Sequence, residues 1–137
     1  MKFTKNSGVQ GIWINKKELK NGTELKLVSE AKEEPSQQGG TQIVAKCRTE
    51  GDNEPKNVAI NNPSKNALID AFGEDSKEWV NKPLTIQTEK VIVGGKRGIA
   101  LYLIPDGFEV VEDSEGYVKV LRIGTEDLKI QSEDIPL

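Results

Sequence analysis

The chain has no histidine, one cysteine, one methionine and only seven aromatic residues in 137 positions. Each shortage closes off a kind of chemistry. Without histidine there is no His-dependent nucleophilic triad, no usual acid–base group at neutral pH, and little prospect of a zinc site. A lone Cys47 cannot staple the fold. It lies in the strand-like run TQIVAKCRT beside Ile43 and Ala45, which reads as a small core residue rather than a nucleophile or ligand. A reduced, cytoplasmic setting is expected. No apolar run approaches a membrane span, and MKFTKNSGV carries basic residues without the apolar stretch of a secretory signal.

Two motif-like stretches fail on their details. VGGKRG, residues 93–98, has Arg97 where a phosphate loop needs Ser or Thr, and it leads into a strand. The run Glu112-Asp113-Ser114-Glu115 lacks calcium-loop spacing and reads as a solvated turn. No enzyme activity, cofactor or metal is expected.

What is present is alternation. Residues 23–31 (TELKLVSEA) place Leu25 and Leu27 between polar neighbours after the Asn21-Gly22 turn signal, which predicts a half-buried strand. Residues 32–40 (KEEPSQQGG) read as a flexible loop. Residues 41–49 alternate again, with Ile43, Ala45 and Cys47 on one face and Lys46 and Arg48 on the other. NVAIN, residues 57–61, forms a short third strand. The period then changes in NPSKNALIDAFG: Asn62 as cap, Pro63 in the first turn, Leu68 and Phe72 one turn apart, and Gly73 as the stop predict one short helix. Residues 82–93 and 97–105 are two strands joined by Gly94-Gly95. Ile99, Leu101 and Leu103 face one way on the return strand; Ala100, Tyr102 and Ile104 face the other. Residues 108–123 read as a further hairpin.

The order strand–strand–strand–helix–strand–strand is that of an OB-fold barrel, and an open sandwich would show the same order. The expected fold is therefore all-β with one short helix: an OB-fold-like domain over residues 1–107, a hairpin extension over 108–123, and an acidic, mobile tail over 124–137. At 35% apolar residues and a mean hydropathy of −0.54, the core is modest.

The net charge of −3 is unevenly spread. Residues 1–105 hold 16 Lys+Arg against 13 Asp+Glu, a net of +3; residues 106–137 hold 3 against 9, a net of −6. A basic body with an acidic end fits a nucleic-acid binder, and equally fits solvated loops of varied charge. On an OB barrel the ligand crosses strands two and three and is flanked by the loops joining strands one–two and four–five. The candidate phosphate contacts are thus Lys46, Arg48, Lys56, Lys90, Lys96 and Arg97. Tyr102 is the leading stacking candidate, set against plain packing. Trp13, in GIWIN, is a platform candidate set against ordinary core packing.

The OB-like order across residues 20–105, the acidic far end and the final Glu133, Asp134, Ile135, Pro136 and Leu137 together resemble bacterial-type single-stranded DNA-binding proteins. That resemblance implies non-enzymatic coating of single-stranded DNA in replication and repair, often as a homo-oligomer. It also implies a tip that docks on partner enzymes. Asp134, Ile135 and Pro136 match the family's Asp-Ile-Pro-Phe ending, with Leu137 in place of Phe. The near-absent linker and the 108–123 hairpin are further departures, of the kind a phage-encoded relative would carry. The runner-up is an OB-like protein-interaction module that never touches nucleic acid, and a third reading is an RNA-binding OB domain.

Overall fold

The computed structural model describes residues 11–36 and 39–124. Strands β1 (Glu24–Leu27), β2 (Lys32–Pro35), β3 (Thr41–Thr49) and β4 (Lys56–Ile60) precede helix α1 (Asn62–Phe72). Strands β5 (Leu84–Val93), β6 (Lys96–Pro105), β7 (Phe108–Glu112) and β8 (Val118–Arg122) follow it. The first six strands form one antiparallel sheet in the order β2-β3-β1-β5-β6, with β4 on the other edge of β3; β7 and β8 form a separate hairpin.

β1 and β2 act as one bent strand. Both lie along the same edge of β3: Leu27 is opposite Cys47, and Lys32 is opposite Val44. Between them the ladder breaks, and the Ser29 hydroxyl accepts the Lys46 N–H at 2.9 Å in place of a backbone carbonyl. The polar stretch at 32–35 was expected to be loop. It is strand because nine-residue β3 leaves an edge to be paired, and tertiary pairing outweighs poor local propensity. Pro35 falls on this outer strand, where a missing N–H costs no ladder bond.

Alternation places the main core as expected. Leu25, Leu27, Ala45, Cys47, Val58, Leu84, Ile86 and Leu103 are all buried in one cluster with Leu68 and Trp79. Trp79 donates its indole N–H to the Gly73 carbonyl at 2.8 Å, which ties the chain after α1 to the end of that helix. The cap of α1 is Asn61, one residue earlier than expected: its side chain accepts from Ser64 N–H at 3.1 Å. Gly73 ends the helix with φ of 107°, which a Cβ would strain.

A second core was not anticipated. Tyr102 and Ile104 on the other face of β6 pack with Ala67, Phe108 and Val120, so α1 and the β7–β8 hairpin cover β6 from outside. The Arg122 guanidinium donates to the Asp70 carbonyl at 2.8 Å and lies 4.9 Å from the Phe108 ring centroid. The 108–123 hairpin is therefore a layer over the sheet rather than more of the sheet.

The sheet is not closed as a barrel, because no ladder joins β4 to β6. Each free edge is satisfied by other means. On β4, Asn57 exchanges backbone bonds with the N-terminal segment, donating to Ile12 at 2.8 Å and accepting from Ile14 at 2.9 Å. On β6, Ile99 and Leu101 carbonyls accept from Lys16 Nζ (3.3 Å) and Asn61 Nδ2 (3.0 Å). The Leu103 N–H donates to Ser64 Oγ at 2.9 Å. The N-terminal backbone on β4 and side chains on β6 thus take bonds that a closing strand would have made, and the seam stays open.

Candidate nucleic-acid interface

The seam widens into a groove of about 1100 Å³. Its walls are the turn end of the β5–β6 hairpin with the adjoining part of β6, the facing ends of β3 and β4, Glu33 of β2, and the first turn of α1. Among the described residues four cations line it, Lys16, Lys65, Lys96 and Arg97, against one acid, Glu33. Aliphatic side chains including Ile43, Ile60, Ile99 and Leu101 form the rest.

Local geometry accounts for each cation. Gly94 and Gly95 have φ of 59° and 80°, the pair of positive values that a two-residue hairpin turn requires. That turn sets Lys96 opposite Val93 and Arg97 opposite Ile92, with both cations exposed. Asn61 starts α1, so Lys65 lies in its first turn with its N–H bonded to the Asn61 carbonyl at 2.8 Å. Lys16 opens a short 3₁₀ turn capped by Asn15, whose side chain accepts from Lys17 N–H at 3.1 Å. From there Lys16 reaches across the seam to Ile99. Two ion pairs occur among the described residues, Lys56–Asp52 at 2.6 Å and Lys119–Asp113 at 3.7 Å, and neither touches the groove.

No family model, curated protein or solved structure matches this chain. The site therefore rests on its own geometry.

That geometry divides the residues singled out from sequence. Lys96 and Arg97 are in the groove. Lys90 is exposed on β5 opposite Ile99 but does not line it. Lys46 is half-buried at mid-β3, close enough to Gly11 that a Cβ there would meet its Nζ at 2.9 Å. Arg48 faces Lys26 across the β1–β3 ladder, in a shallow cleft of about 400 Å³ with Glu24, Glu50 and Asp52. Lys56 is engaged by Asp52. Their hydrogen bond holds the Asp52 carboxyl below its ordinary pKa and the Lys56 ammonium above its own.

The aromatics correct the expectation most. Tyr102, the leading stacking candidate, is 5% exposed and packed in the second core, and burial raises its phenol pKa. Its ring is not offered to a base. The apolar run Ala100-Tyr102-Ile104 opposite Ile99-Leu101-Leu103 was the available signal, since a strand apolar on both faces is covered on both. Trp13 is 39% exposed beside Ile12, at the β4 edge and outside the groove lining.

Lys16 and Lys65 are the groove cations the sequence reading missed. Cys47 is buried as expected, and burial pushes its thiol up to about 12, leaving little thiolate at neutral pH. Among the described residues no cluster could hold a metal, and no helix is long and apolar enough to cross a membrane. Glu133, Asp134, Ile135, Pro136 and Leu137 lie outside the described residues.

Proposed function

We propose that this protein binds single-stranded DNA non-enzymatically, as an OB-fold-like relative of bacterial and phage single-stranded DNA-binding proteins. Support for the fold comes from pairing: a bent first strand (β1 with β2) along β3, β4 beyond it, the helix next, then β5 paired to β1 and β6 to β5. This pairing supports an OB-like order with the β4–β6 junction left open. Fold by itself carries no function. The observation that carries the proposal is the groove, where four cations meet one acid and no ion pair among the described residues neutralises them.

In this reading Lys16, Lys65, Lys96 and Arg97 hold phosphates, and the residues Asp134, Ile135, Pro136 and Leu137 recruit replication or repair partners. Four neutralised phosphates on a single strand give a slope of about −2.8 in log K against log salt. Affinity for labelled oligo-dT, measured by fluorescence anisotropy, is expected to fall about 50-fold between 50 and 200 mM salt. Absence of binding at the lower salt overturns the proposal. For the tip, deletion of residues 135–137 is expected to spare DNA affinity and abolish partner pull-down; partners retained by the shortened chain refute that part.

One observation favours the runner-up, a protein-interaction module without nucleic-acid binding. Tyr102 is buried and Lys56 is paired, so two of the expected nucleic-acid contacts are already occupied within the fold. The same titration separates the two readings.

A further inference from the structure

We infer that the groove holds the phosphodiester backbone and gives the bases no stacking platform; this rests on the single-strand reading above. Proteins that hold single strands ordinarily add aromatic platforms, each worth roughly 5- to 160-fold in affinity per base. This groove has cations, aliphatic side chains and a few amides, and no ring among the described residues lines it.

The six aromatics among the described residues all lie elsewhere. Phe72 and Trp79 pack in the main core, and Tyr102 and Phe108 in the second. Tyr117 is exposed in the turn before β8, which is not part of the groove. Trp13 lies at the β4 edge outside the lining, and Phe3 is outside the described residues. An aliphatic wall excludes water along a sugar–phosphate chain, but it gives a base no π-face to lie on.

Hydrogen-bond readout is also reduced. Of the three amides in the lining, Asn61 is held at both ends, accepting from Ser64 N–H and donating to the Leu101 carbonyl, which leaves Gln42 and Asn62 to meet a base edge. Most of the affinity is left to charge spacing: Lys96 and Arg97 on one wall, Lys65 on another, and Lys16 at the seam. The ligand class is then a single-stranded polyanion with phosphodiester spacing, held without base stacking.

The test compares oligo-dT with an abasic deoxyribose-phosphate strand of equal length, about 20 nucleotides, using the full chain. Both are expected to bind within about twofold of each other and with the same salt slope of about −2.8. The double variant Lys96→Ala/Arg97→Ala is expected to weaken both equally. If oligo-dT binds and the abasic strand is about fivefold weaker or worse, the groove reads bases and the inference is overturned while the function stands. A loss in the double variant confined to oligo-dT overturns it too. If neither strand binds, both the inference and the proposed function fall.

Discussion

Two regions hold the same kinds of side chain and differ in what those side chains can do. The β1–β3 cleft brings Lys26 and Arg48 directly opposite one another, a like-charge pair that would attract an anion if it stood alone. It does not stand alone, since Glu24, Glu50 and Asp52 line the same cleft, and even with Asp52 engaged by Lys56 the other two balance its cations. Among the described residues the seam groove has its four cations against Glu33. A cation on a strand is therefore weak information. Which acids the fold brings beside it decides whether a phosphate finds an unneutralised charge there.

The sharpest test of this contrast is to empty each region in turn. Lys96→Ala/Arg97→Ala is expected to cost about 60-fold in oligo-dT affinity at 50 mM salt, since each lost phosphate contact removes about 0.7 from the salt slope. Lys26→Ala/Arg48→Ala is expected to change it by less than about twofold. Equal losses in the two variants would erase the distinction. Next come Lys16→Ala and Lys65→Ala, each expected to weaken binding about eightfold at that salt; anisotropy titrations that show no change would remove either residue from the site. Lys16→Ala also loses its bond to Ile99, at a stability cost of about 1 kcal/mol, which thermal unfolding reads separately.

A smaller effect runs the other way. Glu33→Gln removes the groove's acid, and a unit charge ~8 Å from a phosphate in water is worth about 0.5 kcal/mol, so affinity is expected to rise about twofold. Glu50→Gln in the cleft is expected to leave it unchanged.

The smallest effect is the pH response of the Lys56–Asp52 pair. Asp52 has a lowered folded pKa, so its contribution is present above the unfolded carboxylate value and is lost as pH falls through the folded one. Lys56 has a raised folded pKa, so its contribution is present below the unfolded ammonium value and is lost as pH rises through the folded one. Asp52→Asn is therefore expected to lower the melting temperature slightly between those limits and to match the parent protein outside them. Because the pair is partly exposed, added salt should shrink the difference. A difference that persists in strong acid would show that the pair is not its source.

Much of the fold was legible residue by residue. Ala45 and Cys47 face inward because alternation on a half-buried strand permits little else. Gly94-Gly95 turns the hairpin because few other pairs accept two positive φ values. Lys96 and Arg97 follow from that turn. The misses have a common cause. Lys32–Pro35 pairs because β3 has a vacant edge, and Tyr102 is buried because α1 and β7–β8 lie over β6. Lys16 joins the site through a contact with Ile99, 83 residues along the chain. None of these is a property of the local stretch.

By itself the sequence determined the strand periods, the single helix between the third and fourth long strands, the hairpin turn and the inert cysteine. Each depends on neighbours within a few residues, through side-chain alternation, capping and allowed φ. Only the tertiary structure decided that the sheet stays open between β4 and β6, that β6 is covered on both faces, and which lysines share a groove with how few acids. Those outcomes depend on which free edges and faces meet in space, and short-range pattern carries no record of that.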